Sequence, residues 1–294
     1  MVYGMGERVM FQKILVPISS EFFSPAVFQL SGLLAAASGG SVTSVYVYEE
    51  REGEEVEHLP DTYLSYYDKE EAERGRRVDR LRHAEQVVFE NAKAFFKKRN
   101  IPFECRFREG VLVDVINEEV AMHHFDLILM GFEKECGFDY RLLSDVSVPL
   151  WIEAGKGDRS VLAVCSNLAP NIKVPEVSMR LAALLGWSLH MIYIIDTEDA
   201  VEVEADGLRR VQQPVSELMK KADAFVQTMR QKGVTVELVT GAFEKETLKA
   251  AERLGAGVII IGREQKQKGV LGLPVKGGKK KVLQHCKCSL LFLN

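Results

Sequence analysis

Near the carboxyl end of the chain, Gly262-Arg-Glu-Gln-Lys-Gln-Lys-Gly-Val-Leu-Gly-Leu-Pro-Val-Lys-Gly-Gly278 leaves an apolar strand and runs into a helix expected at Lys279–His285. Arg263, Lys266, Lys268, Lys276, Lys279, Lys280 and Lys281 stand there against one acid, Glu264. Glycines let backbone N–H groups approach an anion, and a helix N-terminus carries partial positive charge. The chemistry on offer is capture of a phosphate-like anion, with phosphate toward the N–H groups of Gly277 and Gly278. The plainer alternative is a solvated basic loop with nothing bound. Ser19 and Ser166 end the first strand of their respective regions and offer hydroxyls at matching places. For the second, the candidate ligand-binding set is Ser166, Gly262, Arg263, Gly277, Gly278, Lys279 and Lys280.

Other reactive types are less organised. Cys286-Lys-Cys288 follows His285, and thiolate with imidazole is zinc chemistry. A Cys-x-Cys pair entering a strand turns both side chains to one face, but no second ligand cluster is evident, so structural thiols are expected and no metal site. His123-His124 closes a short helix, where an imidazolium suits the helix dipole. Acidic Glu49-Glu50, Glu52–Glu57 and Glu198–Glu204 read as solvated surface loops. The chain has no Ser-His-Asp order, no HExxH and no Walker Lys-Ser/Thr, so no catalytic residue is nominated and the expectation is a protein that is not an enzyme.

The elements that must position these residues come twice. Gln12-Lys-Ile-Leu-Val-Pro-Ile18 and Ser160-Val-Leu-Ala-Val-Cys165 each open a strand, followed by an apolar helix and a second strand at Ser41–Tyr48 or Ser188–Ile195. Phe125–Gly131 matches Gly257–Gly262, and Val148–Ile152 matches Ser289–Leu293. Short, almost wholly apolar runs suit parallel strands buried on both faces. Helices are expected at Ser24–Ala37 (with Val27, Leu30, Leu33, Leu34 and Ala37 inward), Asp68–Arg99 (with Val87, Val88, Ala92, Ala94 and Phe95 inward), Leu112–His123, Val174–Leu185, Gln213–Lys232 and Lys245–Leu254. Third strands are expected at Pro102–Phe107 and Val234–Thr240. The polar, Gly-rich Glu153–Arg159 lies between two complete β/α units, which sets the domains at residues 11–154 and 160–294. Each unit is a doubly wound parallel sheet, whose ligands sit beyond the carboxyl ends of the strands at the topological switch point.

Composition agrees with that reading. The 294 residues, 27% charged with a net charge of −4, describe a soluble globular protein with no global attraction to nucleic acid. No apolar run approaches a membrane span. Met1–Met10 lacks the apolar core of a signal peptide and is expected to be a frayed leader or an alternative start. Five cysteines, an odd number placed mostly in or beside strands, suit buried thiols in a reducing cytoplasm.

In their order and duplication, Ile14-Leu-Val-Pro-Ile-Ser-Ser20, Arg108-Glu-Gly110, Asp126–Gly131 and His285-Cys-Lys-Cys-Ser-Leu-Leu-Phe-Leu293 resemble the universal stress protein (UspA) family in tandem form, from about Phe11 to Asn294. The resemblance implies two five-stranded parallel sheets of order 3-2-1-4-5, flavodoxin- or adenine-nucleotide-hydrolase-like. It also implies an intramolecular pseudo-dimer through the last strands, with Trp151 and Phe292 at the seam. A further homodimer is compatible with it.

Members that bind ATP carry an Asp at the end of strand one, where this chain has Ser19 and Ser166. They also carry Gly-x2-Gly-x9-Gly-Ser/Thr after strand four. In the first half only 16 residues separate Gly131 from Val148 and no Gly-Ser pair occurs. The phosphate loop is therefore expected to be missing, with Phe138, Tyr140 and Leu142 or Leu143 filling the space. In the second half Gln267 falls where the second glycine belongs, Gly262 lies two residues early, and Gly278 replaces the hydroxyl. The resemblance thus implies a non-enzymatic, cytoplasmic stress-response or regulatory protein that requires no cofactor. Its second half could take AMP, ADP, ATP or another anion, and the alternative is a ligand-free scaffold.

Overall fold

The computed structural model describes residues 10–19, 24–49, 89–131, 141–155, 157–168, 173–197, 213–263 and 278–293. Among them are ten strands and eight helices in alternation, an α/β fold with almost every strand pair parallel. Two compact units divide the chain, Met1–Asp126 and Leu127–Asn294. The division falls ahead of the polar bridge Glu153–Arg159, because the closing strands of the first half pair into the sheet of the second unit.

The first unit holds β1 (Lys13–Ile18), α1 (Pro25–Ser38), β2 (Ser41–Tyr48), α2 (Glu90–Lys98), β3 (Phe103–Glu109) and α3 (Leu112–His123), with strand order β3-β2-β1. β1 and β2 run parallel from Lys13↔Ser41, and β2 and β3 from Val42↔Phe103. α1 starts on Pro25, whose fixed φ suits a first helical turn, and stops at Gly39 in the left-handed region (φ 65°), with the Gly39 N–H donated to the Ala35 carbonyl. Val27, Phe28, Leu30, Leu34 and Ala35 face the sheet, whereas Leu33 is 46% exposed. Leu33 and Ala37, expected inside, turn outward because Phe28 and Ala35 complete the buried stripe. In α2 the inner residues are Ala92 and Phe96, with Phe89 just ahead, rather than Ala94 and Phe95. Phe96 stacks on Phe103 at 4.5 Å and meets Phe28 edge-on at 5.9 Å, an aromatic cluster that fixes the helix by area and by ring geometry. Phe95 lies partly open, with the Arg99 guanidinium 3.7 Å from its ring centre. Val87 and Val88 lie outside the described residues.

The second unit holds β4 (Leu127–Gly131), α4 (Arg141–Asp145), β5 (Leu150–Glu153), β6 (Ser160–Ser166), α5 (Lys173–Leu185), β7 (Ser188–Ile195), α6 (Val215–Gln231), β8 (Val236–Thr240), α7 (Phe243–Arg253), β9 (Val258–Gly262), α8 (Gly278–His285) and β10 (Ser289–Leu293). Its strand order is β4-β5-β10-β9-β6-β7-β8. The second half therefore has the expected order 3-2-1-4-5, and the first half divides it, 3-2-1 in one unit and 4-5 in the other. The repeats meet where β5 and β10 pair antiparallel, Leu291 opposite Trp151 and Phe292 opposite Leu150. Trp151 (1% exposed) and Phe292 (0%) are buried there, as the apolar closing strands require. Glu153 clips the end of this ladder, accepting hydrogen bonds from the Trp151 indole at 3.0 Å and the Ser289 hydroxyl at 2.9 Å.

One glycine pair sets the entry into β6 and β9. A Cβ on Gly157, which sits at φ 132°, would come within 2.6 Å of the Gly257 Cα, and a Cβ on Gly257 would overlap the Asp158 carbonyl. These segments touch backbone to backbone, so no larger residue fits. The 16-residue stretch after Gly131 carries α4, of five residues, with Leu142 buried, as the expected space-filling role requires, and Leu143 half-buried. One turn and a half is short enough for that span. Phe138 and Tyr140 lie outside the described residues. No helix among the described residues is long and apolar enough to cross a membrane.

Candidate functional site

At the carboxyl ends of β6 and β9, the switch point of the second unit, the paired register ends at Val164↔Ile261, with Ser166 and Arg263 each two residues further along. Ser166 is fully buried, and its hydroxyl accepts the Leu168 N–H at 3.1 Å, a local turn that ends the strand. Asn167 follows, 3% exposed, its side-chain oxygen accepting the Asp196 N–H at 2.7 Å. Asp196 is the first polar residue beyond β7, and it accepts the Phe243 N–H at 2.8 Å. This chain of bonds ties the ends of β6 and β7 to the start of α7.

The reason lies in α7 itself. Its N-cap is Ala242, which has no side-chain acceptor, so an orphan N–H must find one elsewhere. A carboxylate beside a helix N-terminus also gains from the dipole. The first unit repeats the device: α3 begins after Val111, equally without a cap, and the Glu49 carboxylate accepts the Leu112 N–H at 2.6 Å. Glu49 is therefore a cap for α3, not part of a solvated loop. Neither Asn167 nor Asp196 stands out in the sequence. The available signal was two apolar helix starts, each needing an acceptor from a neighbouring strand end.

Arg263 occupies the place where a loop cation would meet an anion, yet it is 3% exposed and points inward. One terminal nitrogen, Nη1, donates to the carbonyls of Leu142 (3.2 Å) and Leu143 (3.4 Å), and Nη2 to that of Val148 (2.6 Å). The guanidinium thus gathers the carbonyls around the end of α4, a match for its planar fork. Burial draws its pKa down to about 10, which leaves it charged at neutral pH. Nε is buried without a hydrogen-bond partner among the described residues.

Because β9 and β10 are parallel, α8 returns antiparallel to them and presents its N-terminus, Gly278, at the same end of the sheet. Lys280 is exposed there; Lys281 pairs with Glu244 of α7 at 3.4 Å, and His285 approaches the same carboxylate at 3.5 Å. Of the candidate set, Ser166, Gly262 and Arg263 lie at the carboxyl ends of β6 and β9, Gly278 opens the helix, and Lys279 is its second residue. Gly277, Lys266, Lys268 and Lys276 lie outside the described residues.

The first unit offers less. Ser19, 4% exposed, follows β1. On the outer side, Glu119 of α3 is buried and takes Arg106 at 3.0 Å and, more closely, Arg108, with His123 at 3.6 Å. This ion cluster fastens α3 to the edge strand β3. The remaining described cysteines, Cys105 and Cys165, are not bridged; burial pushes the Cys165 thiol well above the ordinary range.

The duplicated, doubly wound α/β unit defines the class of fold, in which ligands generally sit outside the carboxyl ends of the strands. Residues 10–150 match the universal stress protein family. Among solved structures, a proposed universal stress protein from Pseudomonas aeruginosa UCBPP-PA14 is similar over 96% of this chain and 93% of its own, with a TM-score of 0.64 at 14% identity. A universal stress protein from Archaeoglobus fulgidus DSM 4304 is similar over 96% and 98%, with a TM-score of 0.61 at 13% identity. A functionally unknown protein from Pseudomonas aeruginosa PAO1 gives 0.61 at 14% identity over 96% and 92%. At such identities the likeness is one of fold. No curated protein matches the chain.

Proposed function

We propose that the protein is a non-enzymatic, cytoplasmic stress-response module whose second half binds a small anion of the adenine-nucleotide class at the carboxyl ends of β6 and β9. The observation that carries this reading is the convergence of two cation-like features on one end of the sheet. The N-terminus of α8 opens at Gly278, and the buried Arg263, two residues beyond the paired register as Ser166 is, keeps an Nε–H that no described group accepts. Helix N–H groups and a desolvated guanidinium both favour negative charge. Binding rather than turnover is supported by the buried acid beyond β7, Asp196, being engaged in capping α7.

A ligand-free scaffold is the second reading, favoured by the two Arg263 terminal nitrogens being occupied by carbonyls of 142, 143 and 148. Thermal melts with AMP, ADP, ATP and inorganic phosphate separate the two. A ligand at a hundredfold excess over its dissociation constant adds about 2.7 kcal/mol of stability. A rise in melting temperature with a nucleotide supports the binding module, and unchanged melts with all four leave the scaffold.

A further inference from the structure

At the opposite end of the same sheet, α8 hands over to β10 through Cys286-Lys-Cys288. The two sulfurs lie 3.1 Å apart, and the Cys286 thiol also reaches the Cys288 carbonyl at 3.3 Å. Beside them opens a cavity of about 450 Å³ at the amino ends of β6 and β10. Its wall carries both signs of charge, Asp158 and Glu252 against Lys287, with His285 and the two thiols beside them. Cys286 is 7% exposed, whereas Cys288 is half-buried. Among the described residues no group of three or more His, Cys, Asp or Glu assembles as a metal site.

We propose that Cys286 and Cys288 are a site of reversible disulfide modification, entered through this cavity by a small zwitterionic disulfide of the glutathione-disulfide class. The size and mixed charge of the cavity fit a peptide-like molecule with both ammonium and carboxylate groups. The more accessible Cys288 reacts first. Its thiol gives up a proton, the thiolate attacks one sulfur of the incoming disulfide, and that S–S bond breaks. One thiolate leaves and takes up a proton, and a mixed disulfide remains on Cys288. Cys286 then loses its proton and attacks the Cys288 sulfur. The Cys286–Cys288 bond forms and the second small thiolate departs, protonated by solvent. The protein loses two hydrogens and the small disulfide becomes two thiols. The hydrogen bond to Cys286 and burial hold the Cys288 thiol well above the usual range. The exchange is therefore slow near neutrality and quickens as pH rises, because the thiolate is the nucleophile.

The test uses the full-length protein with excess oxidised glutathione, followed by alkylation and non-reducing trypsin digestion. Trypsin cuts after Lys287, so the predicted product is the Cys286 peptide still joined to the Cys288 peptide, released by a reductant. Cys286→Ser should instead accumulate the glutathione adduct on Cys288, and Cys288→Ser should leave Cys286 alkylated as a thiol. Wild-type protein that stops at a Cys288 adduct, keeps both thiols, or links either cysteine to another chain overturns the proposal. Faster modification of Cys286 than of Cys288 overturns it as well. None of these outcomes depends on whether the other end of the sheet binds a nucleotide.

Discussion

Arg263 shows how a residue type can be read correctly and its task missed. A lone arginine in a lysine-rich loop looks like a point charge for an anion, yet it turns inward to carbonyls of 142, 143 and 148. Nothing in the local sequence names those partners, which lie more than a hundred positions away. Arg263→Met keeps most of the stem and removes the donors. It should lower the unfolding free energy by about 2–4 kcal/mol, since buried carbonyls lose their partners. Arg263→Lys should recover only part of that, because one ammonium cannot match the fork; urea denaturation reads both. The distant caps make a second case. Asp196→Ala should cost about 1–2 kcal/mol and Asp196→Asn less, as the amide oxygen can still accept from Phe243. Equal melts for all three proteins would contradict the capping role.

Elements were far more legible than sites. The buried strands are short apolar runs with few alternatives, so β2, β7 and β10 fall on their expected residues. The helices at Leu112–His123, Lys173–Leu185, Val215–Gln231 and Phe243–Arg253 lie within a few positions of expectation, whereas most of the helix expected at Asp68–Arg99 lies outside the described residues. What escaped was which face of an all-apolar helix turns inward, because α1 offers Leu33 and Phe28 equally well and only the sheet decides. Close backbone approaches were equally silent. Gly257→Ala should cost at least about 3 kcal/mol, since its Cβ meets the Asp158 carbonyl, which has no room to yield. Gly186→Ala, at φ 65° with nothing within 4 Å, should cost only about 1–2 kcal/mol from backbone strain. Chemical denaturation ranks the two, and the reverse order would discount the packing argument. Asp126 carries a pH signature between elements. It accepts the N–H groups of Gln12 and Lys13 at 2.7 and 3.0 Å, and burial still raises its carboxyl above the ordinary value. The folded state thus holds this proton more tightly than the unfolded chain. The contribution is full below the unfolded pKa, near 4, and is lost as pH rises through the raised folded value. Wild type should lose stability relative to Asp126→Asn across that window and run parallel to it at higher pH, as a series of urea titrations would show.

For the molecule, the duplicated fold has one seam, β5 against β10, and the proposed anion site lies at one end of the second sheet. Trp151→Ala removes a fully buried ring from that seam and should cost about 3–5 kcal/mol in a denaturation experiment. A loss near zero would mean the seam contributes little to folding. The seam was legible because two apolar strands would otherwise be exposed edges. The ligand is harder to read, since Ser166 and Gly278 stand where the resemblance would place a carboxylate and a hydroxyl. Calorimetric titration of the full-length protein with ATP at low and at raised ionic strength, beside the variant Gly277→Val, tests the central claim most directly. The account predicts measurable binding that weakens as salt screens the charges, and its loss in Gly277→Val, where a branched side chain blocks backbone approach. Absence of heat for wild type at low salt, or unchanged affinity in the variant, would contradict it.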